Sequence, residues 1–483
     1  MGNLVLSQQR HLALPPADVF ALLGSDRTAG WLFGADYQAL RVGALVQFEL
    51  PLNPDDPNGS TVDAFGRIAS LTPPHRLVID QQSPWVGRLI CTLTPVSGGR
   101  GTVVRLGVEV PEDAVTWLLR QRGYDPLEEP TPPATVRIGV LTSKSGPASV
   151  FAAATENLAR MAAAEVNADG GVAGTGHKVH VVLRDDASKP EVGAVQFRRM
   201  VAVEGCRAVV TNVTSEVFDA VAPLARRLGA LLIYTPVNEG GRFRPGVMRL
   251  GERPRGQLRL ALPTLVREAG GKRCYLVGND YVWPRTTNRV ARAEIERIGG
   301  VVVGEQYRAL GTTRFDDLIE DIAAAGADLI VSTFVGSDEA RFERQSYAAG
   351  LRDTTRTLSL AFDESTREFT GDDAARGVWT TFNYFQELGS DGNTAFLRRY
   401  RATFGATAPP LSSITESVYE AIHMLAASGA LNTDANLTEL VSAVRAQRFS
   451  PTWPSAQPEQ RRTGEKALYL AESIPGGFRI SAN

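Results

Sequence analysis

Two short stretches of this sequence gather side chains suited to holding a small molecule. Thr214 and Ser215 put two hydroxyls where an apolar run, Ala208 to Thr211, gives way to a helix-like run, Val217 to Leu228. Hydroxyls and the unpaired backbone N–H groups of a helix start hold a carbonyl or carboxylate oxygen. The same two residues also make an ordinary N-cap. The second stretch is Cys274 to Asn288, CYLVGNDYVWPRTTN. Gly278-Asn279-Asp280 breaks a buried-type run, and Pro284 suits the first turn of a helix, where its missing N–H does no harm. Tyr281 and Trp283 between them offer flat apolar walls with a polar rim, which suits a small, mostly neutral ligand better than a phosphate. Trp283 serves equally well to pack its helix against a sheet. Both stretches are strand-to-helix turns, and in open α/β sheets ligands lie at that carboxyl end of the strands.

Chemistry that transforms a substrate has no comparable signature. No phosphate-binding glycine loop, dinucleotide fingerprint, zinc-protease HExxH or GxSxG elbow occurs. Of the five histidines, His177 and His180 are three apart but flank a turn without a third ligand nearby, so no metal and no cofactor is expected. Asp185-Asp186 reads as turn and cleft charge. The formal net charge of −2 gives no basic footprint for nucleic acid and no polybasic membrane patch. Cys91, Cys206 and Cys274 are too scattered for a disulfide framework. The start of the chain, MGNLVLSQQRHLALPP, lacks the basic and apolar regions and cleavage site of an export signal, and no run of about 18 apolar residues occurs. The expectation is a soluble cytoplasmic protein.

The positioning elements fall into blocks. At 483 residues the chain suits two or three domains. Residues 1–125 read as α+β: a short strand at His11–Leu14, a helix from Pro15 with Val19, Phe20, Leu22 and Leu23 inward, then strands at 44–50, 65–71, 76–80, 87–94 and 102–110, and a closing helix carrying Val115, Trp117, Leu118 and Leu119. Trp31, Trp85 and Trp117 fill a core or line a cavity. Residues 126–134 hold most of a proline-rich stretch that reads as a linker. From Thr135 strand and helix alternate, which specifies doubly wound parallel sheets. The alternation restarts after Leu250. Lobe 1 is expected at about 135–252 and 386–450, lobe 2 at about 253–385 and 451–483.

Particular stretches resemble known families. LALPPADVFALL and GRIASLTPPHRLV resemble the START-like (SRPBCC) helix-grip superfamily, near the heat-shock-protein activator homologues, whose members often hold an apolar ligand. AEVNADGGVAG (164–174), LLIYTPVNEG (231–240), GNDYVWPRTTN (278–288) and STFVG (332–336) resemble type I periplasmic binding proteins for branched-chain amino acids, amides and urea. The nearest branch is the cytoplasmic amide-sensing regulator of the amidase operon. The resemblance implies an α+β helix-grip domain followed by a two-lobed α/β receptor with doubly wound parallel sheets. It places ligand contacts on Ser215, Tyr234, Tyr281 and Trp283. The regulator's threonine contact falls on Pro236 or shifts to Thr235, and Trp283 stands where the family usually has Tyr or Phe, which leaves the small-polar-ligand class rather than acetamide itself. Thr214 and Ser143 complete the candidate set.

For an amino-acid ligand an acidic partner is needed as well, and Asp280, Asp338, Asp363 and Glu364 are the candidates on comparable turns. The leaning is to a neutral amide or urea over a zwitterion. Three functions follow: a non-catalytic cytoplasmic sensor closing on a small amide, urea or amino acid, with the START-like domain as output or second-ligand module and a regulatory protein as possible partner; the substrate-binding component of an ABC transporter; or an enzyme whose site lies in the START-like domain. No acid–base pair supports the third.

Overall fold

The computed structural model describes residues 4–23, 36–37, 40–51, 61–96, 101–121, 134–240, 244–433, 435–447 and 467–481. The chain divides into two compact units, Met1–Thr131 and Pro132–Asn483. Trp31 and the linker up to residue 133 lie outside the described residues.

The first unit runs β1 (Leu4–Leu12), α1 (Pro16–Leu23), β2 (Asp36–Tyr37), β3 (Leu45–Pro51), β4 (Thr61–Thr72), β5 (Arg76–Ser83), β6 (Gly87–Pro95), β7 (Thr102–Val110) and α2 (Glu112–Gln121). Its strands form one antiparallel sheet in the order β1-β7-β6-β5-β4-β3-β2. The strand expected only from His11 begins at Leu4. It pairs with β7 from Leu4 opposite Val110 to Leu12 opposite Thr102, so an otherwise polar run is held extended by its neighbour. Val19, Phe20 and Leu23 of α1 pack on Ile68, Leu77, Ile79 and Leu89 of the sheet. Trp117 of α2 stacks on Trp85 at 5.6 Å between ring centroids, with Val110 and Ala114 beside them, so these two indoles fill a small core of their own.

The second unit opens with β8 (Thr135–Thr142), α3 (Ala152–Ala168), β9 (Lys178–Asp185), α4 (Pro190–Ala202), β10 (Ala208–Asn212), α5 (Ser215–Leu228), β11 (Leu231–Tyr234) and β12 (Val247–Arg249). These strands make an all-parallel sheet in the order β12-β11-β10-β8-β9. Every residue of β10 and β11 is buried, as expected of strands covered by helices on both faces. The chain then builds a second lobe: α6 (Pro254–Glu268), β13 (Arg273–Asn279), α7 (Val282–Arg297), β14 (Val301–Arg308), α8 (Asp316–Ala324), β15 (Leu329–Thr333), α9 (Ser337–Ala348), β16 (Arg356–Ser359), α10 (Glu364–Thr370), α11 (Asp372–Ala375) and β17 (Val378–Phe382).

Helices α12 (Asp391–Phe404), α13 (Ser413–Ala427) and α14 (Leu437–Ala446) return to lobe 1, where Phe396, Val418, Ile422 and Leu440 share a core with Ile138, Val140 and Val210. Strands β18 (Tyr469–Ile474) and β19 (Gly477–Ile480) go back to lobe 2 and extend its sheet, which reads β14-β13-β15-β16-β17-β18-β19, with β18 antiparallel to β17. β12 and α14 were not expected from the sequence. β12 is three residues long, and it is a strand because Leu232, Ile233 and Tyr234 pair with it.

Candidate functional site

The lobe 1 half of the site is built on the β10-to-α5 turn. Thr214 is extended and its hydroxyl accepts from Val217 N at 3.5 Å, which fixes where α5 starts. Ser215 and Glu216 follow, and the first N–H groups of a helix have no intrahelical acceptor. Asn212 donates to the Thr155 hydroxyl at 2.6 Å, tying the end of β10 to α3. Tyr234, at the end of β11, is fully buried and lies against Phe218 of α5 at 4.3 Å between centroids. Its hydroxyl is 3.3 Å from Ser215 Oγ, which in turn donates to Glu239 Oε2 at 3.3 Å. Burial pushes the Tyr234 and Tyr281 hydroxyls above their ordinary values, so both stay protonated at neutral pH.

The lobe 2 half is built on the β13-to-α7 turn. Gly278 must lack a side chain, since a Cβ there would lie 2.1 Å from Thr333 Oγ1. Asn279 donates to Asp338 at 2.7 Å and accepts from Val335 N at 3.0 Å, which locks this turn to the neighbouring β15-to-α9 turn. Tyr281 and Trp283 then project from the start of α7, and both are buried. The lobes touch where Ser337 N donates to Pro147 O at 3.3 Å. Gly336 makes that approach possible: its φ is +55° and an added Cβ would lie 2.6 Å from the Pro147 carbonyl.

Between the halves lies a partly open cavity of about 40 Å³. That is room for a few water molecules, so the lobes are drawn close together here. Thr214, Ser215, Tyr234, Pro236, Tyr281 and Trp283 all line it, joined by Phe151, Val335, Ala361 and Ile414 among others. Trp283 Nε1 is buried and has no hydrogen-bond partner.

The profile of the periplasmic binding protein family matches residues 135–473. The chain belongs to this family. The N-terminal unit lies ahead of the matched region. Among curated periplasmic binding proteins and their relatives, the chain is 27% identical over 279 residues to an amino acid binding protein of Pseudomonas aeruginosa, covering 56% of this chain and 72% of that one. It is 24% identical over 223 residues to a Leu/Ile/Val-binding protein homologue of Brucella melitensis, covering 45% of this chain and 60% of that one. Among solved structures, the fold is similar to an ABC transporter solute binding protein of R. palustris in complex with benzoate, with TM-score 0.62, 22% identity, and coverage of 72% of this chain and 95% of that one. It is similar also to a branched-chain amino acid transporter substrate binding protein of Streptococcus pneumoniae in complex with isoleucine, with TM-score 0.61, 19% identity, and coverage of 72% and 99%. The Brucella and Streptococcus proteins are named for branched-chain amino acids, and this chain is a ligand-binding protein of the periplasmic binding protein family.

Two candidates from the sequence fall outside the cavity lining of this periplasmic binding protein. Thr235 spends its hydroxyl on the Thr211 carbonyl at 3.2 Å, because it points back into the sheet while Pro236 faces the crevice. Ser143 is buried beside the Asp186 carboxyl, which burial and the neighbouring Asp185 push up to about 7. The acidic candidates are likewise engaged elsewhere. Asp280 pairs with Arg285 at 2.6 Å, Asp338 accepts from Asn279 and Gly311, Asp363 caps α10 through Thr366 N at 2.9 Å, and Glu364 accepts from Gln386 N at 2.8 Å. Asp185 is a turn lock, accepting from Lys144 N, Ala187 N and both donors of Ser145. The acid that reaches the site is Glu239, which the sequence reading passed over. Its signal was its place in YTPVNEG, five residues past Tyr234. Among the described residues no group of three or more His, Cys, Asp or Glu is placed to hold a metal ion, and no helix is long and apolar enough to cross a membrane.

Proposed function

We propose that the second unit is a hinged receptor that traps a small organic solute between its lobes without transforming it. The observation that carries this is the convergence of Ser215 and Tyr234 from lobe 1 with Tyr281 and Trp283 from lobe 2 on one cavity. The helix start and Ser215 take the polar head, and Trp283, Tyr281 and Phe151 cover the apolar body. Ligand favours the closed form because only there do both sets of contacts exist at once. The head is an amide, urea or amino-acid-like group. Two proteins of similar fold are in complex with benzoate and with isoleucine, which supports a ligand with an apolar body.

We propose further that the chain acts as a cytoplasmic sensor in the manner of the amide-sensing regulators. A separately folded unit stands ahead of the receptor and is available as an output module. We read that unit as START-like from its order of strand, helix, further antiparallel strands and final helix. The second reading, a transport receptor, is supported by the ABC transporter assignment of the structural neighbours. Calorimetry of the full chain against short amides, urea, isoleucine and benzoate tests the receptor, with saturable binding of at least one expected and no heat from any of them counting against it. Cell fractionation separates the two roles: a sensor stays with the cytoplasm and a transport receptor is recovered outside the inner membrane.

A further inference from the structure

The direction of one short hydrogen-bond chain sets what the ligand head must be. A serine hydroxyl has one proton and two lone pairs. Ser215 Oγ donates its proton to Glu239 Oε2 at 3.3 Å, the carboxyl oxygen being the acceptor. The Tyr234 hydroxyl, protonated at neutral pH, therefore donates to Ser215 Oγ across 3.3 Å. What Ser215 has left for the cavity is a lone pair. It offers an acceptor to the ligand and has no proton to give. The donors on the cavity are the first N–H groups of α5, the unpartnered Trp283 Nε1 and the protonated hydroxyl of Tyr281.

We propose that Glu239 is the specificity-determining residue of the site, holding Ser215 as an acceptor so that the receptor selects a carboxamide or urea head over a carboxylate. This rests on the receptor reading above. A carboxamide answers the set: its carbonyl oxygen takes the N–H donors and its NH2 donates to Ser215 Oγ. The second oxygen of a carboxylate in the same pose meets the Ser215 lone pair and the charge of Glu239 behind it. Arg249 also faces Glu239 and moderates that charge, but it stands outside the cavity lining, with its guanidinium over the Phe218 ring at 5.1 Å. Glu239 is a positioning residue, acting on the ligand through Ser215.

The test uses the full chain and matched pairs, isobutyramide against isobutyrate and benzamide against benzoate, titrated by calorimetry at neutral pH. The expected result is at least tenfold tighter binding of the amide in whichever pair fits. In Glu239→Ala the acceptor of the Ser215 proton is gone, the proton is free to turn toward the cavity, and the amide-to-carboxylate ratio is expected to fall at least tenfold, through gained carboxylate affinity as well as lost amide affinity; Glu239→Gln keeps an acceptor oxygen and removes the charge, so a smaller fall is expected there. A purely structural role for Glu239 would weaken both members equally. A wild-type preference for the carboxylate, or a ratio unchanged in both variants, overturns the inference and leaves the receptor standing. Binding of neither member of either pair, with isoleucine and urea also silent, overturns the receptor and the inference together. If the variants fail to fold, the wild-type ratio alone decides.

Discussion

The β10-to-α5 turn of lobe 1 and the β13-to-α7 turn of lobe 2 occupy equivalent places, each at the carboxyl end of a parallel strand and each opening a helix onto the same cavity. They are finished differently. In lobe 1 the N-cap Thr214 accepts from Val217 N, and the next residue presents a hydroxyl wired to Tyr234 and Glu239. In lobe 2 the N-cap Tyr281 makes no side-chain cap bond, and Trp283 two residues on is an aromatic wall. One turn is polar and capped by its own threonine hydroxyl, with N–H groups left over for a ligand. The other leaves its helix start to be covered by apolar surface. A crevice made of two like turns would grip both ends of a ligand in the same way; this pair divides the work into head and body.

The largest effect expected from breaking that division is at Trp283. Trp283→Ala removes a ring that is 1% exposed, so a stability loss of about 3–5 kcal/mol and loss of detectable ligand binding are expected in urea unfolding and calorimetry. Trp283→Phe keeps the fold and shows the binding effect alone. Next comes Ser215→Ala, expected to weaken ligand about tenfold, or about 1.4 kcal/mol, with the affinity loss larger for an amide than for any ligand without an N–H.

Smaller still is the cap. Thr214→Ala should lower stability by about 1 kcal/mol through loss of the α5 N-cap, while Tyr281→Phe, which removes no cap bond, should leave thermal stability nearly unchanged. Equal losses from the two would show the turns to be alike after all.

A separate effect, on stability alone, concerns the loop that supports lobe 1. Asp186 is fully buried and its carboxyl is pushed from 3.8 up to about 7 by burial first and Asp185 second. The folded state then holds this proton between pH about 4 and about 7 while the unfolded chain releases it. Its contribution therefore lowers stability progressively as pH rises through that window, with the full penalty present above it. Asp186→Asn keeps an acceptor for Ser188 N, at 2.7 Å in the parent, and should raise the melting temperature by a few degrees at pH 8 with little change at pH 4. An unchanged melting temperature at both pH values would show that Asp186 carries no such penalty.

The alternation of apolar strands and amphipathic helices from Thr135 onward was legible, because parallel strands buried on both faces must be apolar throughout and their helices must repeat near 3.6 residues. The positions of Thr214, Ser215, Tyr281 and Trp283 on two strand-to-helix turns followed from the same periodicity. Helix α14 was legible in principle, since Asn436 and Glu439 form a capping box ahead of Leu440, Val441 and Val444. β12 could not be read and β1 only at its end, His11 and Leu12: the rest of their residues carry little strand pattern of their own and are extended because a neighbour pairs with them.

What the sequence determined alone was local: which residues alternate, where helices begin, and therefore which side chains stand at strand ends. What only the tertiary structure decided was which strand ends meet and which way each side chain turns. Pro236 faces the cavity and Thr235 the sheet; Asp280, Asp338, Asp363 and Glu364 are each drawn to partners outside the cavity; Glu239 reaches Ser215. Asp280 and Asp363 turn to partners a few residues on, while the other contacts join residues far apart in the chain or one pleat out of phase, and those are set by three-dimensional neighbours, which no spacing along the chain encodes.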